Sequence, residues 1–221
     1  MTDAHYHRDG YATFLSLRDR EFRFYGVHPW EAADASARRP YQDGEFVAEL
    51  RAALEADAHS GVGEIGLDRL KNRVIDPAQR AVFAAQLEVA AEFHRPVVLH
   101  GAKCWGEVVA ACRPYAGRIP AFLFHGFSRS GGLLPDIAAL NGFVGVGAAL
   151  LNDHAVNYRA LVKEIPLERL LVETDADYGR AAARPSPGEI LCKLAELRGM
   201  EPDALEAVVD ANAARFVEAL A

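Results

Sequence analysis

The chain carries imidazoles and carboxylates whose spacing suits a buried cation site. His5-Tyr6-His7 has strand spacing: residues i and i+2 of an extended chain point to the same side, so two imidazoles can grip one ion. Alone, the same pattern also describes two exposed polar residues near a frayed end. Asp3 shares that side and could orient a histidine from behind. His100 and His125 end the apolar runs Pro96-Val97-Val98-Leu99 and Phe122-Leu123-Phe124. Singly, each reads as a core histidine bonded to a backbone carbonyl. As a pair at matching positions of successive strands, with His5 and His7 on the first, they read as ligands. Glu64 lies inside Gly61-Val62-Gly63-Glu64-Ile65-Gly66-Leu67-Asp68. An ionised carboxylate in an apolar strand costs several kcal/mol unless it is neutralised. A cation neutralises it, and its two oxygens can bridge two ions roughly 3.5–4 Å apart; an ion pair with Arg69 or Arg95 is the alternative. Asp175, after Leu170-Leu171-Val172-Glu173-Thr174, is placed like Glu64. Nitrogen and oxygen donors without thiolates suit borderline divalent ions.

These residues need elements that bring them together. Apolar runs predict strands over Ala4–His7, Arg23–Val27, Gly61–Leu67, Pro96–His100, Ala121–His125, Phe143–Gly147 and Leu170–Thr174. Helical stripes cover Glu45–Ala58 (Phe46, Leu50, Ala53, Leu54) and Pro77–Phe93 (Val82, Phe83, Leu87, Ala90, Phe93), with Pro77 suited to a first turn. Pro202–Asp210 and Ala211–Leu220 read as closing helices, and Pro29–Asp43 and Asp177–Pro187 as loops. Strands alternating with helices imply a parallel sheet, and seven strand signals favour a barrel over an open sheet. The eighth strand is not legible; the 177–187 loop occupies its expected place. The fold class is therefore α/β, a TIM-type (β/α) barrel with an irregular or incomplete eighth strand, formed as one domain over residues 1–221. Parallel barrel strands open their C-terminal ends on one face, which carries the active site. His5, His7, His28, Glu64, His100, His125 and Asp175 all fall at such ends.

Composition narrows the classes further. Hydrophobic residues are 51% and charged residues 25% of 221, which supplies a core and excludes a disordered, collagenous or coiled-coil chain. No apolar run is long enough to span a membrane, and the polar N-terminus shows no secretory signal. Three cysteines make no disulfide framework and fit a reducing, cytoplasmic setting. The net charge of −7 argues against broad salt-driven nucleic-acid binding, but leaves room for a phosphate-handling site whose cations supply the positive charge.

Taken in order, the motifs resemble the TatD family of metal-dependent hydrolases, within the amidohydrolase-like barrels. The matching pieces are Asp3-Ala4-His5-Tyr6-His7, Gly26-Val27-His28-Pro29-Trp30, Gly63-Glu64-Ile65-Gly66-Leu67-Asp68, Pro96-Val97-Val98-Leu99-His100, Phe124-His125-Gly126-Phe127 and Leu171-Val172-Glu173-Thr174-Asp175. Gln79, Phe83 and Gln86, and Asn212-Ala213-Ala214-Arg215-Phe216, also fit. The resemblance implies two divalent metal ions (Mg, Mn or Zn). It places His5, His7, Glu64 and Asp175 on one ion and Glu64, His100 and His125 on the other, with His28 beside them to meet substrate phosphate. It implies a deoxyribonuclease-like phosphodiesterase acting on nucleic acid or another phosphodiester through an activated water. In that scheme Asp175 is the general base, with Glu64 and His28 as further catalytic residues.

Two stretches depart from the family pattern. Gly101-Ala102-Lys103-Cys104-Trp105 lacks the arginine-bearing stretch of the best-known members, and Ala176-Asp177-Tyr178-Gly179 lacks their proline-rich run. Both shape the substrate cleft, so a small-molecule amidohydrolase, lactonase or esterase is the rival, and a non-catalytic metal-binding scaffold stands behind it. Lys103 and Arg129 are candidate phosphate clamps or plain surface residues. Trp30 and Trp105 either stack on a base or pack internally. Cys104 reads as a small core residue rather than a nucleophile. A monomer is the default expectation.

Overall fold

A computed structural model describes residues 1–8, 12–32, 44–70, 73–128, 131–177 and 185–220. Eight strands form one sheet in sequence order: β1 (Thr2–Arg8), β2 (Ala12–Leu17), β3 (Arg20–Tyr25), β4 (Gly61–Asp68), β5 (Val97–Ala102), β6 (Phe122–Phe124), β7 (Gly142–Val146) and β8 (Leu170–Val172). From β3 to β8 every pairing is parallel. The helices are α1 (Pro29–Ala32), α2 (Glu45–Ala56), α3 (Pro77–Glu92), α4 (Trp105–Cys112), α5 (Leu134–Ala139), α6 (Val156–Glu164), α7 (Pro187–Arg198) and α8 (Pro202–Phe216).

All seven expected strands are present, and the fold is the expected α/β barrel. The illegible strand is the second rather than the last. β2 runs antiparallel to both β1 and β3, so the barrel opens with a meander where crossover helices would otherwise stand. Its inward residues Thr13 and Leu15 are fully buried. The turn into β3 joins Leu17 to Arg20 through two residues, and Arg18 adopts φ 56. Two-residue hairpins need that left-handed backbone, and Asn-Gly or Asp-Gly normally announces it; Arg-Asp does not.

The sheet ends meet at a seam. The His7 amide donates to the Ala176 carbonyl at 2.7 Å, and the Asp175 amide donates to the His5 carbonyl at 3.0 Å. Asp3 takes the Thr174 amide at 2.9 Å and its hydroxyl at 2.7 Å. Asp3 thus laces β1 to the end of β8 instead of backing a histidine ring.

The helices follow local rules. Asp76 caps α3 by accepting from the Ala78 amide at 2.8 Å, with Pro77 in the first turn. Ser186 and Glu189 form a capping box at the start of α7. The two expected closing helices are one, α8, followed by a short turn at Glu218–Leu220; nothing between Pro202 and Phe216 breaks the pattern. The core includes Phe22, Phe24, Phe122, Phe124 and Phe143. Trp105 is buried between Phe124 and Phe127, with ring centroids 5.8 and 5.4 Å away, so it packs internally rather than stacking on a ligand.

Candidate metal centre

Every strand end named by the sequence delivers its side chain to one point. His5 Nε2 and His7 Nε2 lie 3.2 Å apart. Glu64 Oε2 is 3.4 Å from His5 Nε2 and 3.5 Å from His7 Nε2. Asp175 Oδ1 is 3.7 and 3.4 Å from the same two nitrogens. Each carboxylate oxygen thus lies within 3.7 Å of both imidazole nitrogens, and His5, His7 and Asp175 form a donor group whose atoms all lie within 4.8 Å of one another. Asp175 holds its place through a left-handed backbone, φ 51.

The other oxygen of Glu64 faces a second group. His100 Nδ1 is 2.6 Å from Glu64 Oε1, and His28 Nε2 and His125 Nε2 are each 3.7 Å from it. His28 Nε2 is also 3.4 Å from His100 Nδ1. Glu64 is buried, and its neighbours are imidazoles rather than guanidinium groups. Arg69 is turned to the Lys103 carbonyl and Arg95 to the Ala58 carbonyl, which removes the arginine ion-pair alternative. Nitrogen and oxygen donors converging on one buried carboxylate, with no thiolate among them, fit divalent cations.

Carboxylates hold two of the rings from behind. Asp68 Oδ2 is 2.9 Å from His100 Nε2, which fixes that proton and leaves Nδ1 facing Glu64. Glu173 Oε1 is 3.1 Å from His125 Nδ1 and accepts the Gly126 amide at 2.7 Å. Asp68 appears in the sequence only as the tail of its motif; the signal for it was a carboxylate four residues past Glu64, at a strand end. His28 Nδ1 accepts the Trp30 amide at 3.2 Å, so in the neutral ring the proton sits on Nε2, toward the centre.

The electrostatics follow from this packing. Burial, with His100 and His7 nearby, pushes His28 down to about 4, so it is neutral at pH 7. Burial would also lower His100, but Glu64 and Asp68 outweigh it and lift the ring to about 9. Glu173 and Glu64 overcome burial in the same way and lift His125 to about 10. Burial would raise Asp175, yet His7, His125 and His5 draw it down to about 2. Glu64 is held well below the carboxylate range, with burial overcome by His125 and His100.

Helix α3 reaches back to the segments that carry His28 and Asp68. Gln86 pairs with the Val27 backbone, accepting its amide at 2.6 Å, and Gln79 accepts the Asp68 amide at 2.9 Å. Asn212 donates to the Leu167 and Leu170 carbonyls and so fixes the start of β8. Cys104 is buried and donates to the Leu67 carbonyl; burial pushes its thiol up to about 11, which makes it a core residue. Trp30 sets its ring edge against His28, centroids 5.1 Å apart. Lys103 is exposed, its carbonyl held by Arg69, and it is not among the residues gathered at the centre. Arg129 lies outside the described residues, as does most of the 177–187 loop, including Tyr178 and Gly179. Beside Asp175 a cleft of about 410 Å³ is lined by residues including Ser128, Ala148, Tyr158 and Pro185. Among the described residues no helix is long and apolar enough to cross a membrane.

Comparison with known proteins places the chain in a family. The family described as TatD related DNase matches residues 3–218. A 3'-5' ssDNA/RNA exonuclease TatD from Erwinia billingiae is 34% identical over 204 residues, covering 86% of this chain and 75% of the relative. One from Pectobacterium parmentieri is 30% identical over 203 residues, with the same two shares. Among solved structures, YJJV, a TatD homolog from Escherichia coli K12, superposes with a TM-score of 0.71 at 24% identity, covering 87% of this chain and 75% of that one. On a match that runs almost end to end, the chain belongs to the TatD-related DNase family.

Proposed function

We propose that the chain is a two-metal phosphodiesterase that trims single-stranded nucleic acid from an end. The observation that carries this is the division of Glu64: Oε2 faces His5 and His7, and Oε1 faces His100, His28 and His125. One ion would be held by His5, His7, Glu64 and Asp175, the other by Glu64, His100 and His125. When bound, such ions acidify a water and offset charge developing on phosphoryl oxygens. Asp175 is ionised at neutral pH and half-exposed at the mouth, so it can accept the proton of the attacking water. His28 presents an Nε2 proton and donates a hydrogen bond to a substrate oxygen. Glu173 and Asp68 keep His125 and His100 turned toward the centre. The single-stranded substrate rests on the named activity of relatives such as the Erwinia billingiae exonuclease.

One observation favours a second reading, a small-molecule amidohydrolase, lactonase or esterase. Among the described residues the cleft beside Asp175 is lined without any arginine or lysine. A panel of single-stranded DNA, duplex DNA, RNA, a generic phosphodiester, and amide and lactone series decides, each with Mg²⁺, Mn²⁺ and Zn²⁺. Stepwise shortening of single strands supports the nuclease; turnover of amides or lactones alone replaces it.

A further inference from the structure

The meander that opens the barrel leaves an outer sheet face without crossover helices between its strands. His5 and His7 point inward on β1, so Tyr6 and Arg8 lie on the opposite face, Tyr6 buried there and Arg8 exposed. The register sets Tyr6 opposite Phe14 and Phe14 opposite Arg23; one row nearer the mouth, Arg8 faces Ala12, with Tyr25 two residues beyond Arg23. Arginines and aromatics therefore alternate on this face. The Arg8 guanidinium lies 5.5 Å from the Tyr6 ring and 5.2 Å from Phe14. Arg23 lies 5.9 Å from Phe14 and 4.5 Å from Tyr25. Tyr6 and Phe14 stack at 5.7 Å and 23°. Ordinary chains show such cation–π contacts roughly once per 70–80 residues.

A structural role accounts for part of this. Glu21 takes both Arg8, at 2.6 Å, and the Tyr6 hydroxyl, which ties β1 to β3. It does not account for Arg23, which is exposed and has no ion pair among the described residues. Helix α8 meets the meander at its far end, where Asp210 binds Thr2 at 2.7 Å and Arg18 at 3.0 Å. The rows bearing Arg8, Phe14, Arg23 and Tyr25 lie at the mouth end, and Arg8 directly follows His7. Guanidinium planes laid on aromatic rings offer flat cationic surfaces to bases and phosphates together, the means by which single strands are held without sequence preference. On a chain of net charge −7 this placement is local, not general.

We infer that the outer face of β1–β2–β3, centred on Arg8, Phe14, Arg23 and Tyr25, is a docking track for the single-stranded part of a nucleic-acid substrate as it leaves the metal centre. The inference rests on the nuclease reading for its ligand class, but its test does not depend on cleavage. The probe is a fluorescein-labelled oligothymidylate of about twelve nucleotides with phosphorothioate linkages, bound to the metal-loaded full chain and followed by anisotropy. A trimer serves as the short control. Arg23→Ala and the double variant Arg8→Ala/Arg23→Ala are compared with Arg20→Ala, which removes an exposed arginine from the opposite end of β3. The double variant is expected to bind the long probe about tenfold more weakly and to lose about 1.4 from the slope of log affinity against log salt, at about 0.7 per phosphate contact. Arg23→Ala alone gives about half that slope change with the Arg8–Glu21 pair left in place, and the trimer and Arg20→Ala stay at wild-type values. Equal weakening in all three variants, or none in the double variant, overturns the track. So does an unchanged affinity accompanied by loss of a dimer on sedimentation, which assigns the face to a second copy of the chain. If the wild type binds the long probe through Arg8 and Arg23 yet cleaves no oligonucleotide, the track stands and the nuclease reading falls.

Discussion

Asp68→Asn tests whether the metal centre depends on a residue that would touch no metal. The carboxylate holds His100 and the chain after it: Oδ2 meets His100 Nε2 at 2.9 Å, Oδ1 accepts the Leu70 amide at 2.6 Å, and the Trp30 side chain is a further partner. An amide of the same shape has only one acceptor oxygen. If that oxygen keeps Leu70, the amide nitrogen faces His100 Nε2 and favours the tautomer with its proton on Nδ1, pointed at Glu64. If it keeps His100, the Leu70 N–H loses its partner, at about 1 kcal/mol. Loss of such an orienting carboxylate typically lowers metal affinity 10–100-fold, or about 1.4–2.7 kcal/mol. The expected outcome is therefore a folded variant, less stable by about 1 kcal/mol or less, that binds one of two ions 10–100-fold more weakly. Calorimetric titration of the chelated protein with Mn²⁺ or Zn²⁺ reads the affinities, and nitrogen NMR of the His100 ring reads the tautomer. Two wild-type affinities with Nε2 still protonated would refute the reasoning.

Other tests probe the same site from different sides. Asp175→Asn should remain folded and keep much of its metal, yet lose about 10²–10⁴ in turnover per metal-loaded molecule, the range for removal of a general base; near-normal turnover removes Asp175 from that role. A Cβ at Gly145 would lie 1.9 Å from Glu173 Oε2, whereas one at Gly147 meets nothing nearer than 3.7 Å. Gly145→Ala should then cost about 1–3 kcal/mol and weaken metal binding by displacing Glu173 from His125, while Gly147→Ala does neither; thermal melts and metal titration compare them. In chelator, His100 and His125 sit at about 9 and about 10, above the ordinary value near 6.5. Their contribution to stability is complete below about pH 6.5 and is lost as pH rises through 9–10, so the chelated protein should melt at lower temperature at pH 9.5 than at pH 6.5. A flat profile would place both rings neutral before metal arrives.

The sequence made the centre more legible than the sheet that carries it. Imidazoles and carboxylates that end apolar strands are chemically unusual, so the convergence of His5, His7, Glu64, His100, His125 and Asp175 could be read from residue type and strand position. β2 was not readable because its turn uses Arg18 and Asp19, and because Ala12-Thr13-Phe14-Leu15-Ser16-Leu17 is a short, mixed run between charged residues. Asp68 and Glu173 were visible as carboxylates, but which ring each one holds depends on side-chain directions across neighbouring strands. The Asp3 contact with Thr174 joins residues 171 apart, beyond any local pattern. Cys104 and Trp105 sit beside a ligand strand in sequence, and only the turn of α4 into the core separates them from the chemistry.

The seam between β1 and β8 gives the site an order of assembly during synthesis. His5 and His7 are made first, while Asp175 and the backbone that laces it to His5 follow about 170 residues later. At 5–20 residues per second, the paired imidazoles wait on the order of 10–30 s for the carboxylate that completes their site. If the proposed ligand set holds, the nascent chain would through that interval carry the two histidines without the carboxylate that closes their site. Metal supply at the ribosome, and not only the affinity of the finished protein, therefore bears on which ion the centre first meets.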